Sequence, residues 1–330
     1  MYDHYIALDW AQENMAIACL TKFSNKATVI DVPTDVKELK AYLKSKRGRS
    51  IFTIEETNTS QWLYTELHDC VDKIVICDPY RNKLLCEGAK NDKIDAVKLA
   101  MLLRSDMIKP VYHSLDQIVD LRKIISGYKD VVQAGVRCKN QRSALLRSSG
   151  KKKSESLETD GEKFVFEGLD SSIEAYQTEK KRYEDCFKEH VRKSDRLKQL
   201  KTIPGIGLIG AVTTAAIVVD ANRFKSHGHF YSYCGLVRHS KDSGGRCYGS
   251  KKTRHRRELK CVFKTAALSA ISMEGPLKEY YFSLIKEKNF PDYNARNAVA
   301  RKIASAVLGV MKSGKKYNKD KIGVLKKLSK

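Results

Sequence analysis

Short apolar runs separated by polar turns open the chain, and they read as strands. Tyr5-Ile-Ala-Leu-Asp9 and Met15-Ala-Ile-Ala-Cys-Leu20 flank the polar turn Trp10–Asn14, a pattern that predicts a hairpin with Asp9 at the end of its first strand. Lys26–Val32 continues as a third strand, and Asp35–Lys46 carries Val36, Leu39 and Leu43 at helical spacing. Ser50–Ile54 is a further buried strand that stops abruptly at Glu55-Glu56. A helix over Gln61–Cys70 and a strand over Lys73–Asp78 follow. Lys90-Asn-Asp-Lys-Ile-Asp-Ala-Val-Lys-Leu-Ala100 then opens an apolar helical pattern with Asp92 and Asp95 in its first turn, three residues apart and so on one helix face.

From about residue 111 the pattern changes. Leu115, Ile118, Leu121, Ile124, Ile125, Val131 and Val132 have helical spacing, Lys151–Gly161 has no buried pattern and reads as a loop, and Leu169–Leu200 is helical again among many charges. An antiparallel helical arm or coiled coil fits these two stretches. Next, Ile203-Pro-Gly-Ile-Gly207 forms a tight turn into the apolar helix that begins near Leu208, in the manner of a helix-hairpin-helix. Gly205 and Gly207 would let a backbone phosphate approach the amides there. Val237–Arg257 reads as a basic loop, and Leu259–Met273 and Ala295–Met311 read as closing helices. The expected organisation is an α/β domain over 1–110, a helical arm over 111–200 and a mainly helical domain over 201–330.

Charge narrows the function. Lys and Arg number 62 against 39 Asp and Glu, a formal charge of +23, which points to a polyanionic partner. No apolar run has transmembrane length and no signal-peptide start is present, so a cytoplasmic protein without a membrane partner is expected. The 9 cysteines are scattered with no C-x-x-C pair, which favours ordinary thiols over a zinc site. The tail, with Lys315, Lys316, Lys319, Lys321, Lys326 and Lys327, suits nucleic-acid contact or plain solvation.

Candidate chemistry falls in two places. Asp9, Glu55 or Glu56, Asp92 and Asp95 sit where elements end or begin, where carboxylates converge on a hard divalent cation. Strand period cannot choose between Glu55 and Glu56, which point to opposite faces. In the basic segment, Lys241, Arg246, Lys251, Lys252, Arg254, Arg256 and Arg257 are suited to phosphates, and Ser240, Ser243 and Ser250 are all credible nucleophiles.

Ile6-Ala7-Leu8-Asp9, Ile54-Glu55-Glu56-Thr57 and Lys90-Asn91-Asp92-Lys93-Ile94-Asp95-Ala96 together resemble the RuvC-like (RNase H-like) domain of the DEDD transposases of the "IS one-ten" insertion-sequence family. That family includes Piv-type invertases and bridge-RNA-guided recombinases. The resemblance selects Glu55, the glutamate directly after the apolar strand. Counted from Cys234-Gly235-Leu236, Ser243-Gly244 matches the Ser-Gly of the family's C-terminal domain, and Glu258–Ala267 matches its following helix. Two departures concern loop geometry: the usual Pro after Gly-Leu is replaced around Val237-Arg238, and a Ser-Lys-x-Gly ahead of the helix appears as Thr253–Arg257.

The resemblance implies a site of Asp9, Glu55, Asp92 and Asp95 holding one or two Mg²⁺, with Mn²⁺ as an alternative ion. It implies a Ser243 nucleophile, a phosphoserine intermediate, donor and target DNA, and for many members a guide (bridge) RNA. A homodimer or homotetramer with a shared site is part of the same implication. A metal-only nuclease or junction resolvase, an RNA-independent invertase and a non-catalytic nucleic-acid-binding protein are the competing readings.

Overall fold

The first strand, β1 (His4–Trp10), lies at the centre of a mixed sheet because both of its faces are apolar. Ile6, Ala7 and Leu8 are completely buried, as expected for a strand covered on two sides. A computed structural model describes residues 1–82, 91–152, 155 and 157–318 of the chain. Within it, Met1–Leu115 and Asp116–Lys330 are two compact units.

In the first unit, β2 (Asn14–Thr21) pairs antiparallel with β1, and β3 (Thr28–Pro33) pairs antiparallel with β2. On the other side β4 (Ser50–Glu55) runs parallel to β1, and β5 (Lys73–Cys77) runs parallel to β4. The two-residue β6 (Pro110–Val111) closes the order β3-β2-β1-β4-β5-β6. Helices α1 (Val36–Lys44) and α2 (Ser60–Leu67) cover one face, where Leu39, Leu43, Leu63 and Leu67 pack on Ile6, Leu8, Ile17, Phe52 and Ile54. Helix α3 (Asp92–Arg104) covers the other face, with Ala96, Leu99 and Ala100 against Tyr5, Ala7, Ala16, Ala18 and Ile51. This mixed α/β arrangement is consistent with a RuvC-like fold.

The second unit is helical. A 3₁₀ turn (Gln117–Asp120) leads into α4 (Leu121–Ser148), which packs antiparallel on α5 (Asp160–Lys193). Glycines make room for rings between them: a Cβ on Gly127 would meet the Tyr183 hydroxyl at 2.5 Å, and one on Gly135 would meet Tyr176 at 3.3 Å. After α6 (Asp195–Leu200), α7 (Leu208–Val218) is apolar but for Thr213 and Thr214, and every residue from Ala211 to Val218 is buried. The remaining elements are α8 (His227–Tyr233), β7 (Arg238–Ser243), β8 (Arg246–Lys252), α9 (Arg257–Ser272), α10 (Pro276–Lys286) and α11 (Asp292–Ser313). One core joins Leu121, Phe187 and Leu200 to Val212, Phe263 and Val307.

Asn91 caps α3, its side chain accepting from the Lys93 amide at 3.0 Å, and Asp92 and Asp95 stand in the first turn as the spacing predicts. Other expectations need correction. The second arm helix starts at Asp160, nine residues before Leu169, because Thr159 and Glu162 make a reciprocal capping box. It then breaks at Ser194, whose extended backbone caps α6. The segment Val237–Arg257 is not a loop: Arg238–Lys252 forms a two-stranded ribbon. Helix α10 had no counterpart in the sequence reading. Lys319, Lys321, Lys326, Lys327 and part of the Lys151–Gly161 segment lie outside the described residues.

Two glycines make opposite predictions. At Gly205, φ is +81° and a Cβ would meet the Ala266 carbonyl oxygen at 2.1 Å, so Gly205→Ala is expected to destabilise the fold by about 2 kcal/mol or more. Exposed Gly168, inside α5, has nothing within 4 Å of a built Cβ, so Gly168→Ala is expected to stabilise by about 0.5–1 kcal/mol. Denaturant melts of the two variants check both signs.

Candidate active site

Strand parity sorts the acids. On β1, Tyr5 and Ala7 belong to the face under α3, which puts Asp9 on that side; on β4, Ile51 does the same for Thr53 and Glu55. Leu8 pairs with Ile54, so Asp9 and Glu55 stand one step further along adjacent strands, and Glu55 itself pairs with Cys77. From above, Asp92, Asp95, Ala96 and Leu99 form one stripe of α3, the stripe that meets the sheet. Glu55 and Asp95 are half-buried, whereas Asp92 is exposed.

Glu56 faces the other way. Its carboxylate lies 3.2 Å from His113 Nε2, and the buried imidazole packs on Tyr64 of α2 at 5.7 Å between centroids. The two glutamates left open by strand period are thus separated physically, Glu55 toward α3 and Glu56 toward α2.

Electrostatics tie Glu55 to Asp95. Burial raises the Glu55 carboxyl above its ordinary range, and the Asp95 charge raises it further. The Cys77 thiol beside them is pushed up to about 12, by burial first and then by Glu55 and Asp78. Lys98 lies 3.6 Å from Asp95, and Lys93 lies 3.1 Å from Asp31. Among the described residues, no three of His, Cys, Asp and Glu approach closely enough to form a metal-ligand group. The donor set nevertheless suits a hard cation: carboxylate oxygens repel one another in a partly desolvated place, and the buried Thr53 hydroxyl on the same face has no hydrogen-bond partner among the described residues.

The second cluster is the ribbon. Ser243 pairs with Arg246 across the two-residue turn Gly244-Gly245, whose φ values of +55° and +74° are those of a type I′ hairpin. Every residue of β7 and β8 is exposed, so Ser243 stands at the tip of a solvated arm near Lys241 and Arg246, with Lys251 and Lys252 at the stem end opposite His239 and Arg238. Its stem is held at α8. The Thr253 hydroxyl donates to the Ser232 carbonyl at 3.0 Å, the Arg256 amide donates to the Tyr233 carbonyl at 2.9 Å, and a Cβ on Gly235 would strike the His255 ring at 2.4 Å. Arg254, Arg256 and Arg257 follow at this stem. Ser240 donates to Asp242, whose carboxyl is held below its usual range by Ser240 first and Cys247 second. Ser250 lies back along β8, opposite Ser240.

Between α6 and α7, the turn 201–207 borders a groove of about 870 Å³ lined by Lys201, Thr202, Gly207, Thr265 and Ser269. Gly205 turns its bare side inward to Ala266, whereas nothing lies within 4 Å of a Cβ built on Gly207.

A mixed α/β sheet consistent with a RuvC-like fold, with acids at adjacent strand ends and a helical unit after it, fits the class of DEDD transposases. The chain belongs to the IS110/IS116/IS902 transposase family: a DEDD transposase model of IS110 type, described as a transposase, matches residues 6–150, and one described as transposase of the IS116/IS110/IS902 family matches residues 197–282. It is similar to the insertion element IS116 uncharacterized 44.8 kDa protein of Streptomyces clavuligerus, 32% identical over 96 residues. That match spans 29% of this chain and about a quarter (24%) of the relative's length. Among the described residues, no helix is long and apolar enough to cross a membrane.

The raised Glu55 carboxyl means that its ionised form opposes folding at neutral pH. Glu55→Gln is therefore expected to raise the melting temperature in metal-free buffer. Mg²⁺ is expected to raise it for the wild type and to leave Asp95→Asn nearly unmoved. Differential scanning fluorimetry with and without Mg²⁺ reads both effects.

Proposed function

We propose that the protein is a DNA transposase that cuts and rejoins strands by phosphoryl transfer, with Ser243 as nucleophile. The observation that carries this reading is the ribbon tip: a solvent-exposed hydroxyl on a tight Gly-Gly turn, flanked by cations, projecting from a rigid helical core. The Ser243 oxygen forms a bond to phosphorus as the bond from phosphorus to the departing strand breaks. The serine proton leaves to a base, and the departing alkoxide gains one. The resulting phosphoserine ester retains the energy needed for an incoming strand hydroxyl to reverse the step.

Asp9, Glu55, Asp92 and Asp95 would hold Mg²⁺ or Mn²⁺, as one or two ions. A divalent ion there supplies charge neutralisation for the phosphoryl oxygens. The acids orient and charge that site, with Glu55 and Asp95 innermost and Asp92 at the solvent edge. Lys241, Arg246, Lys251, Lys252, Arg254, Arg256 and Arg257 neutralise backbone phosphates. The turn before α7 serves as a helix-hairpin-helix contact, with Gly207 open to a phosphate and Gly205 holding the turn against α9.

A guide RNA that pairs with donor and target DNA would supply sequence selection, leaving the protein to bind backbone shape. The charge of +23 suits a protein that carries two nucleic acids. Assembly into a dimer or tetramer is favoured by the α4–α5 arm, where Phe164 and Val165 are 79% and 49% exposed, and in such an assembly the acids of one subunit would serve the serine of another.

Ser243→Ala is expected to abolish the covalent protein–DNA adduct and strand transfer, and EDTA or Asp95→Asn to abolish both as well. Denaturing gels of labelled DNA read the adduct. Hydrolysed ends without an adduct would establish the metal-only nuclease instead. DNA affinity is expected to fall steeply with salt, by about a thousandfold or more between 50 and 200 mM if six or more phosphates are neutralised. RNA recovered with the purified protein tests the guide.

A further inference from the structure

The ribbon carries an aromatic side chain that phosphate binding leaves unused. Its two faces differ. Ser240 pairs with Ser250, but Asp242 pairs with Cys247, so Lys241 is opposed by two residues, Tyr248 and Gly249, in a β-bulge. Gly249 takes φ +105°, which a side-chain-bearing residue would adopt with strain. Strand alternation places Ser240, Asp242 and Cys247 on one face, where they interact with one another. Lys241, Ser243, Arg246 and Tyr248 fall on the other. That second face presents a hydroxyl, two cations and a ring within a few residues of the tip.

Tyr248 is 68% exposed, on a ribbon that buries nothing, so its ring contributes to no core. A two-stranded ribbon of this kind is marginal in water without a partner. Residues 237–257 contain eight Lys or Arg and one Asp, so the complementary partner is a polyanion. Arg246 and Tyr248 stand about 7 Å apart along β8, one at the serine and one a step behind it. A cation for the phosphate and a ring for the neighbouring base match the two parts of a single nucleotide.

We infer that Tyr248 is a positioning residue that stacks on an unpaired DNA base next to the phosphodiester presented to Ser243. The stack fixes the strand so that the phosphorus lies before the serine oxygen, and the bulge at Gly249 aims the ring. The inference rests on the proposed contact between ribbon and DNA, but its test is separable from the chemistry.

The test uses the full chain carrying Ser243→Ala, titrated with a single-stranded oligodeoxynucleotide that holds 2-aminopurine at an interior position. Binding is expected to quench the probe through stacking, Tyr248→Leu to remove that quench, and Tyr248→Phe to restore it. With Ser243 intact, on DNA that yields the adduct, Tyr248→Leu is expected to lower the rate at saturating DNA about tenfold, with Tyr248→Phe rescuing it. A quench that survives Tyr248→Leu overturns the inference, as does a Phe variant as impaired as the Leu variant, which would assign the role to the phenol hydroxyl. A Tyr248-dependent quench with no adduct from the wild type would uphold the stack and remove the serine mechanism.

Discussion

Small side chains set the distance between α3 and the sheet, and the acid site depends on that distance. Ala7 on β1 and Ala16 and Ala18 on β2 face Ala96 and Ala100 of the helix, all of them buried. A helix resting on alanines sits close to the strands beneath it, so its first turn reaches the ends of β1 and β4. Its N-terminus favours carboxylates there, and Asn91 holds the turn in place. The same closeness buries Glu55 and presses Asp95 toward it, and burial first and the Asp95 charge second raise the Glu55 carboxyl. Lys98 offers Asp95 partial compensation from the edge. The core packing thus prepares a place whose electrostatics improve when a cation enters.

The second unit separates rigidity from reach. Helix α7, buried on all sides, is the hub against which α4, α5, α6 and α9 pack. From this core the β7–β8 ribbon extends wholly into solvent, pinned at its stem by Gly235, His255 and the Arg256 amide. Such an arm can meet a bulky duplex that no buried pocket would admit. Its own hydrogen-bond ladder, the I′ turn and the bulge fix the backbone at Ser243 while Lys241, Arg246 and Tyr248 stay exposed.

The strands of the α/β unit are legible in sequence because burial on both faces leaves continuous apolar runs, and Asp9 and the Glu55-Glu56 pair stand out because they end such runs, as Asp92 and Asp95 stand out where a helical pattern opens. Strand period leaves Glu55 and Glu56 open and the family resemblance alone selects Glu55, because their separation depends on which helix covers which face. Residues 237–257 read as a loop in sequence because a ribbon exposed on both sides has no apolar alternation to betray it. Tyr248 passed unnoticed for the same reason. Helix α10 was missed because only Leu277 and Leu284 of its residues are buried, too few to set a period. The capping box at Thr159 and Glu162 was readable in principle, but it lies where charge masks the start of the apolar stripe.

In the proposed reaction neither unit is sufficient alone. A serine hydroxyl is a weak nucleophile without a base or a metal to assist it. Asp242, its sequence neighbour, lies across the ribbon from it and accepts from Ser240, and a carboxyl held below its usual range is a poor base. The acids of the other unit supply what the tip lacks, while those acids have no nucleophile of their own except water. On that proposal the serine would react only where ribbon and acids meet at one phosphate, whether the acids belong to the same subunit or to another, so that binding of the substrate would itself permit its cleavage.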